Sequence, residues 1–127
     1  MNKKMTILIA EDEKALRNIL RDFLQDNQFL TLEAENGEEA VQLALTKHPD
    51  LILLDLMMPI MGGMDALKKI REDSWGQNIP VIILTNLNAT DGQLVEDIVE
   101  QSPSYYLIKS DWKIKDVVIK IKQILTA

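Results

Sequence analysis

The stretch Leu51-Ile52-Leu53-Leu54-Asp55-Leu56-Met57-Met58-Pro59 carries four apolar residues into a carboxylate and then into a loop that reaches proline. A short unbroken apolar run with polar boundaries reads as a strand buried on both faces, the kind found in parallel sheets. Three other runs follow the same grammar. Ile7-Leu8-Ile9-Ala10 ends in Glu11-Asp12, Val81-Ile82-Ile83-Leu84 ends in Thr85, and Tyr106-Leu107-Ile108 ends in Lys109. In open α/β sheets the ligand site lies outside the carboxyl ends of the strands, beside the point where strand order reverses. Glu11, Asp12, Asp55, Thr85 and Lys109 all fall at that edge. Singly they carry little information; together they mark one site.

Helical patterns fill the intervals between the runs. After the first strand, near Met5–Ala10, Leu16, Ile19, Leu20, Phe23 and Leu24 recur at helical spacing. A weaker strand spans Leu30–Ala34. Asn36-Gly37-Glu38-Glu39 follows, an N-cap with an acid three residues on, similar to a capping box. The helix it opens would bury Ala40, Val41, Ala44 and Leu45 and stop before Pro49. A third helix carries Met64, Leu67 and Ile70. A fourth is capped by Thr90 with Gln93 and shows Leu94, Val95, Ile98 and Val99. The last has Ile114, Val117, Val118, Ile121, Ile124 and Leu125. Strict alternation of strand and helix favours right-handed crossovers and a parallel sheet covered on both faces. The expected architecture is a doubly wound five-stranded parallel sheet, order 2-1-3-4-5, with five helices and residues 1–127 in a single domain.

Bulk properties narrow the function. A chain of 127 residues has room for one domain with a sizeable core. A net charge of −6 argues against direct contact with nucleic acid, which requires a basic surface. Without cysteine there is no disulfide, thiolate nucleophile or cysteine metal site. No apolar run approaches membrane length and the first residues lack a signal-type apolar region, so the expected setting is cytoplasmic, with no membrane partner.

If the first and third strands are neighbours, Glu11, Asp12 and Asp55 converge. Carboxylates that close repel one another, and a divalent cation resolves the conflict. Mg²⁺ prefers oxygen ligands and commonly binds one or two carboxylates together with a phosphate oxygen. A carboxylate can itself accept a phosphoryl group. That transfer needs alignment and neutralisation of the phosphoryl oxygens, for which Lys109 offers a cation and Thr85 a hydroxyl.

At these positions the chain resembles the receiver domain of two-component response regulators, a flavodoxin-like domain phosphorylated by histidine kinases, and the resemblance runs from Ile7 to Leu125. It implies that Glu11 and Asp12 are the acidic pair and that Asp55 is the phosphoacceptor. Mg²⁺ would be held by these three carboxylates and the Met57 backbone carbonyl. Thr85 corresponds to the switch hydroxyl, Lys109 to the phosphoryl-contacting lysine and Tyr106 to the switch aromatic. The implied activity is phosphotransfer from a phosphohistidine of a histidine kinase or phosphotransfer protein, followed by slow self-hydrolysis. The domain would thus catalyse its own modification without being an enzyme acting on other substrates. Phosphorylation would alter binding of a downstream protein, or pairing of two copies, at the face made by the fourth helix, fifth strand and fifth helix. Ending at Ala127, the chain is expected to be either a single-domain regulator or the receiver part of a longer one with an output domain.

Several positions depart from the family pattern. Ser110 replaces the usual proline after the lysine, Asn86 a small residue after Thr85, and Gly62 an aspartate before Gly63. Met57 and Leu87 stand at two positions that tune hydrolysis, and neither can orient a water, so a long-lived phosphoryl group is expected. Plainer roles compete at each residue. Asp12 could cap the first helix, Asp55 could form a strand-end turn, Thr85 suits a strand and Lys109 a solvated surface. His48, near a helix end, has no evident ligand partners. The group Met57, Met58, Met61 and Met64 suits core and loop packing. Lys113, Lys115, Lys120 and Lys122 suit a solvated helix face or, more sharply, a docking surface for an acidic partner. Competing functions are a pseudo-receiver that only binds partners, an FMN binder and an aspartyl phosphatase. Glu11-Asp12-Glu13 would repel the FMN phosphate, and Met57 offers no general acid for the phosphatase.

Overall fold

Alternate residues of the apolar runs face opposite sides of one sheet, as the computed structural model of the chain shows. It describes residues 4–85, 105–108 and 113–126, with the backbone alone for Thr85 and residues 105–108. The strands are β1 (Thr6–Ala10), β2 (Leu30–Ala34), β3 (Leu51–Asp55), β4 (Val81–Thr85) and β5 (Tyr105–Ile108). They form a parallel sheet in the order β2-β1-β3-β4-β5, as expected from the sequence. The described helices are α1 (Lys14–Asp26), α2 (Gly37–Lys47), α3 (Gly63–Glu72) and a C-terminal helix, Ile114–Thr126. The expected helix around 90–99 lies outside the described residues.

Leu8, Ala10, Ile52, Leu54, Val81 and Ile83 form a core with Ala40, Ala44, Leu67 and Ile70 of α2 and α3. Ile7, Ile9, Leu51, Leu53, Ile82 and Leu84 form a second core with Leu20 and Leu24 of α1 and Val117, Val118 and Ile121 of the C-terminal helix. The period of two separates these faces, and burial of both explains why no polar residue interrupts the runs. Ile19, read as part of the inward stripe of α1, is half exposed instead. The inward position at that level belongs to Leu20 and, one turn earlier, to Arg17.

Local chemistry sets the joints. The Glu39 N–H donates to Asn36 Oδ1 at 2.9 Å, so Asn36 caps α2 as its sequence suggests. The return bond is displaced by one residue, because Glu39 Oε1 accepts from the Glu35 N–H at 2.8 Å. Asp50 Oδ2 accepts from the Thr6 N–H at 2.7 Å, tying the start of β1 to the approach to β3. His48 ends α2 in the left-handed conformation and stacks on Trp75, ring centroids 4.5 Å apart, so this histidine has an aromatic partner that its sequence did not reveal. Arg71 Nη1 donates to the carbonyls of Gly76 and Ile79 at 2.9 and 2.7 Å, fixing the short 3₁₀ turn Trp75–Gln77 before β4. Burial lowers the pKa of that guanidinium. No helix among the described residues is long and apolar enough to cross a membrane.

Candidate functional site

Register brings the acidic residues to one place. Ala10 pairs with Leu54 across β1 and β3, so the next residues, Glu11 and Asp55, reach the carboxyl edge side by side. Carboxylate oxygens of Glu11, Asp12 and Asp55 all lie within 4.8 Å of one another. Glu11 and Asp55 are buried, whereas Asp12 is exposed at the mouth. Octahedral Mg²⁺ holds oxygens at about 2.0–2.1 Å, which spaces its ligands by roughly 3–4 Å. The three carboxylates therefore fit a single hard cation.

The Glu11 and Asp55 carboxylates each accept a backbone N–H from two residues further on. Glu11 donates its N–H to the Ala34 carbonyl at 3.0 Å, and its Oε2 accepts from the Glu13 N–H at 3.0 Å. That leaves Glu13, not Asp12, as the N-cap residue of α1, without a side-chain cap bond. The plainer reading of Asp12 as a helix cap is thereby overturned, and the carboxylate points to the acidic cluster instead. Asp55 Oδ1 accepts from the Met57 N–H at 3.1 Å, which orients the carboxylate at the strand end.

Backbone contacts hold the β3–α3 loop. The Gly63 N–H donates to the Leu56 carbonyl at 3.1 Å, and the Gly37 N–H to the Met61 carbonyl at 2.8 Å. A Cβ at Gly63 would overlap the Asp55 carbonyl oxygen, and one at Gly37 would overlap that of Met61. These close approaches explain glycine at both positions. Ile60 has φ 69° and is 78% exposed, a conformation that a β-branched residue rarely adopts. Met57 is also exposed, while Met58 and Met64 pack against the core, so the methionine group divides between rim and interior.

Asp55 pairs in register with Leu84, which puts Thr85 at the end of the neighbouring strand, and Thr85 pairs with Ile108. The Thr85 side chain is not among those described. The same holds for Tyr106, whose backbone pairs with Ile83. Lys109, Asn86, Leu87 and Ser110 lie outside the described residues.

The buried residue beside the acidic cluster that sequence reasoning missed is Arg17. It is buried, and its Nη1 donates to the Glu11 carbonyl at 2.9 Å and, more weakly, to the Asp12 carbonyl at 3.5 Å. Nη2 bonds Glu35 Oε1 at 3.2 Å, and Nε pairs with Glu33 Oε1 at 3.4 Å. A signal was present: Arg17, Leu20 and Leu24 share an inward helical stripe, and a charge there needs internal partners.

Comparison with known proteins places the fold in a family. The transcriptional regulatory protein YdfI of Bacillus subtilis is 41% identical over 111 residues, covering 86% of this chain and 48% of that protein. Histidine kinase P4 of Formosa agariphila is 37% identical over 123 residues, covering 97% of this chain and 9% of the kinase. The chain thus spans less than half the length of these two relatives. Among solved structures, the receiver domain of the sensor histidine kinase PA1611 from Pseudomonas aeruginosa was determined with magnesium coordinated in its active-site cleft. It superimposes with a TM-score of 0.86 at 25% identity, covering 98% of this chain and all of that one. Kinase and regulator alike carry a domain like this one, and residues 7–121 match the response regulator receiver domain, the family to which this chain belongs.

Proposed function

We propose that this receiver domain accepts a phosphoryl group on Asp55 from a phosphohistidine of a histidine kinase or phosphotransfer protein. The convergence of Glu11, Asp12 and Asp55 within 4.8 Å carries the reading. An Asp55 carboxylate oxygen attacks phosphorus, an O–P bond forms, and the P–N bond breaks with its electron pair returning to the imidazole. Hydrolysis later transfers the group to water, releasing inorganic phosphate and regenerating the carboxylate. The Met57 N–H, on Asp55 Oδ1, orients the nucleophile throughout.

Glu11, Asp12, Asp55 and the Met57 carbonyl would hold Mg²⁺, which when bound neutralises charge on the phosphoryl oxygens. Thr85 and Lys109 would contact the transferred group, with Tyr106 following the state of Thr85. The domain is then both substrate and catalyst of its own modification. Its output is altered binding of a downstream protein or of a second copy at the face that includes β5 and the C-terminal helix. Lys113 and Lys115 are exposed there, which suits an acidic partner.

Intact mass after incubation with acetyl phosphate and Mg²⁺ tests the proposal. The expected result is one added phosphoryl group, abolished by EDTA and by Asp55→Asn. Absence of the adduct would instead leave a module that binds partners without phosphorylation. Met57 presents no group that can orient water, so the adduct should persist. Met57→Asn should shorten its lifetime severalfold in a dephosphorylation time course, and an unchanged lifetime would remove Met57 from the explanation.

A further inference from the structure

Arg17 brings a positive charge to the backbone of two residues that gather around a cation site, an arrangement that electrostatics alone disfavours. A guanidinium there weakens attraction for a metal, so its presence calls for another explanation. Its geometry supplies one. Arg17 stands in the first turns of α1, and its fork reaches back over the β1–α1 turn to the Glu11 and Asp12 carbonyls. The far side of the fork is anchored on Glu33 and Glu35, at the end of β2 and just beyond it. The turn is thereby fastened to the neighbouring strand by a planar group with several donors, which a lysine cannot imitate.

We propose that Arg17 is a positioning residue for the cation pocket. By fixing the Glu11 and Asp12 carbonyls, it sets the direction in which their carboxylates meet Asp55. The proposal rests on the receiver reading above and adds a requirement to it: metal affinity depends on a side chain that contacts no metal. Outer partners that orient metal-binding groups typically contribute about 10–100-fold to affinity.

The sign of the effect separates this role from its rivals. If Arg17 acts only as a charge, Arg17→Met removes a repelling cation and tightens Mg²⁺ binding. If it only stabilises the fold, thermal stability falls while the dissociation constant stays unchanged. Positioning alone predicts weaker Mg²⁺ binding, by about tenfold, from the protein that remains folded. Titration calorimetry of the full chain with MgCl₂ would be read beside the thermal midpoint and the exchange protection of the Glu13 amide in metal-free protein. Arg17→Lys keeps the charge without the fork and serves if the methionine variant does not fold. It too should bind Mg²⁺ several times more weakly and lose Glu13 protection. Acetyl phosphate labelling of both variants should need more Mg²⁺ for half-maximal rate, with little change in rate at saturation.

Variants that bind Mg²⁺ as tightly as wild type, or more tightly, would overturn the role of Arg17 and leave the receiver reading standing. A wild-type chain that neither binds Mg²⁺ nor gains a phosphoryl group would overturn both.

Discussion

Two loops deliver carboxylates to one pocket, and they are held by opposite means. The β1–α1 turn, which carries Glu11 and Asp12, is fastened by a charged side chain, because Arg17 bonds their carbonyls and anchors on Glu33 and Glu35. The β3–α3 loop, which follows Asp55, is fastened chiefly by close backbone contacts. The Gly63 and Gly37 N–H groups donate to the Leu56 and Met61 carbonyls, and the Asp55 and Met61 carbonyl oxygens leave no room for a Cβ at either glycine. The first device can yield, since a guanidinium and two partly exposed carboxylates can rearrange. The second cannot, since both partners are main chain. Under the proposed phosphotransfer, Asp55 as nucleophile would therefore sit on the stiffer support.

The contrast breaks most sharply at Gly63. Gly63→Ala forces a methyl group into the Asp55 carbonyl, with no flexible side chain to move aside. It should cost about 3 kcal/mol by chemical denaturation, at the upper end for overpacking, and displace the Asp55 carboxylate. A loss below about 1 kcal/mol would show that the loop shifts freely and that its stiffness has been overstated.

Ile60 tests the same loop in the other direction. Its left-handed backbone is unfavourable for a β-branched residue, and its exposed side chain recovers little by packing. Ile60→Asn should therefore stabilise the fold by about 1 kcal/mol, visible as a higher denaturation midpoint, because asparagine tolerates that conformation. If Ile60→Asn is neutral or destabilising, the isoleucine makes a contact that outweighs the strain.

The smallest effect belongs to the outer end of the arginine clamp. Glu35 is 65% exposed at its side chain, so Glu35→Gln should change stability by about 0.5 kcal/mol or less. A larger loss would move the anchor of the β1–α1 turn from the buried carbonyl bonds to the surface ion pair.

These differences also govern what could be read from the sequence. The central strands were legible because they are apolar runs that end in a polar residue, and the alternation with helices made the sheet parallel without by itself fixing the strand order. The acidic cluster was legible because register carries strand ends to a common edge. Asn36 was legible as a cap because its signature is local. Arg17 was not, because its partners lie on a turn and a strand whose packing had to be known first. Ile60 was not, because residue type argues against its conformation. The choice of Glu13 over Asp12 as the start of α1 turned on the Glu13 N–H being taken by the Glu11 side chain, a bond that spacing does not encode.

The stack of His48 on Trp75 joins the end of α2 to the 3₁₀ turn before β4. It lies at the amino ends of the strands, whereas Asp55 closes β3 at the other edge. Trp75 emission is therefore an optical gauge of folding at the far rim of the sheet, and a poor witness to chemistry at Asp55.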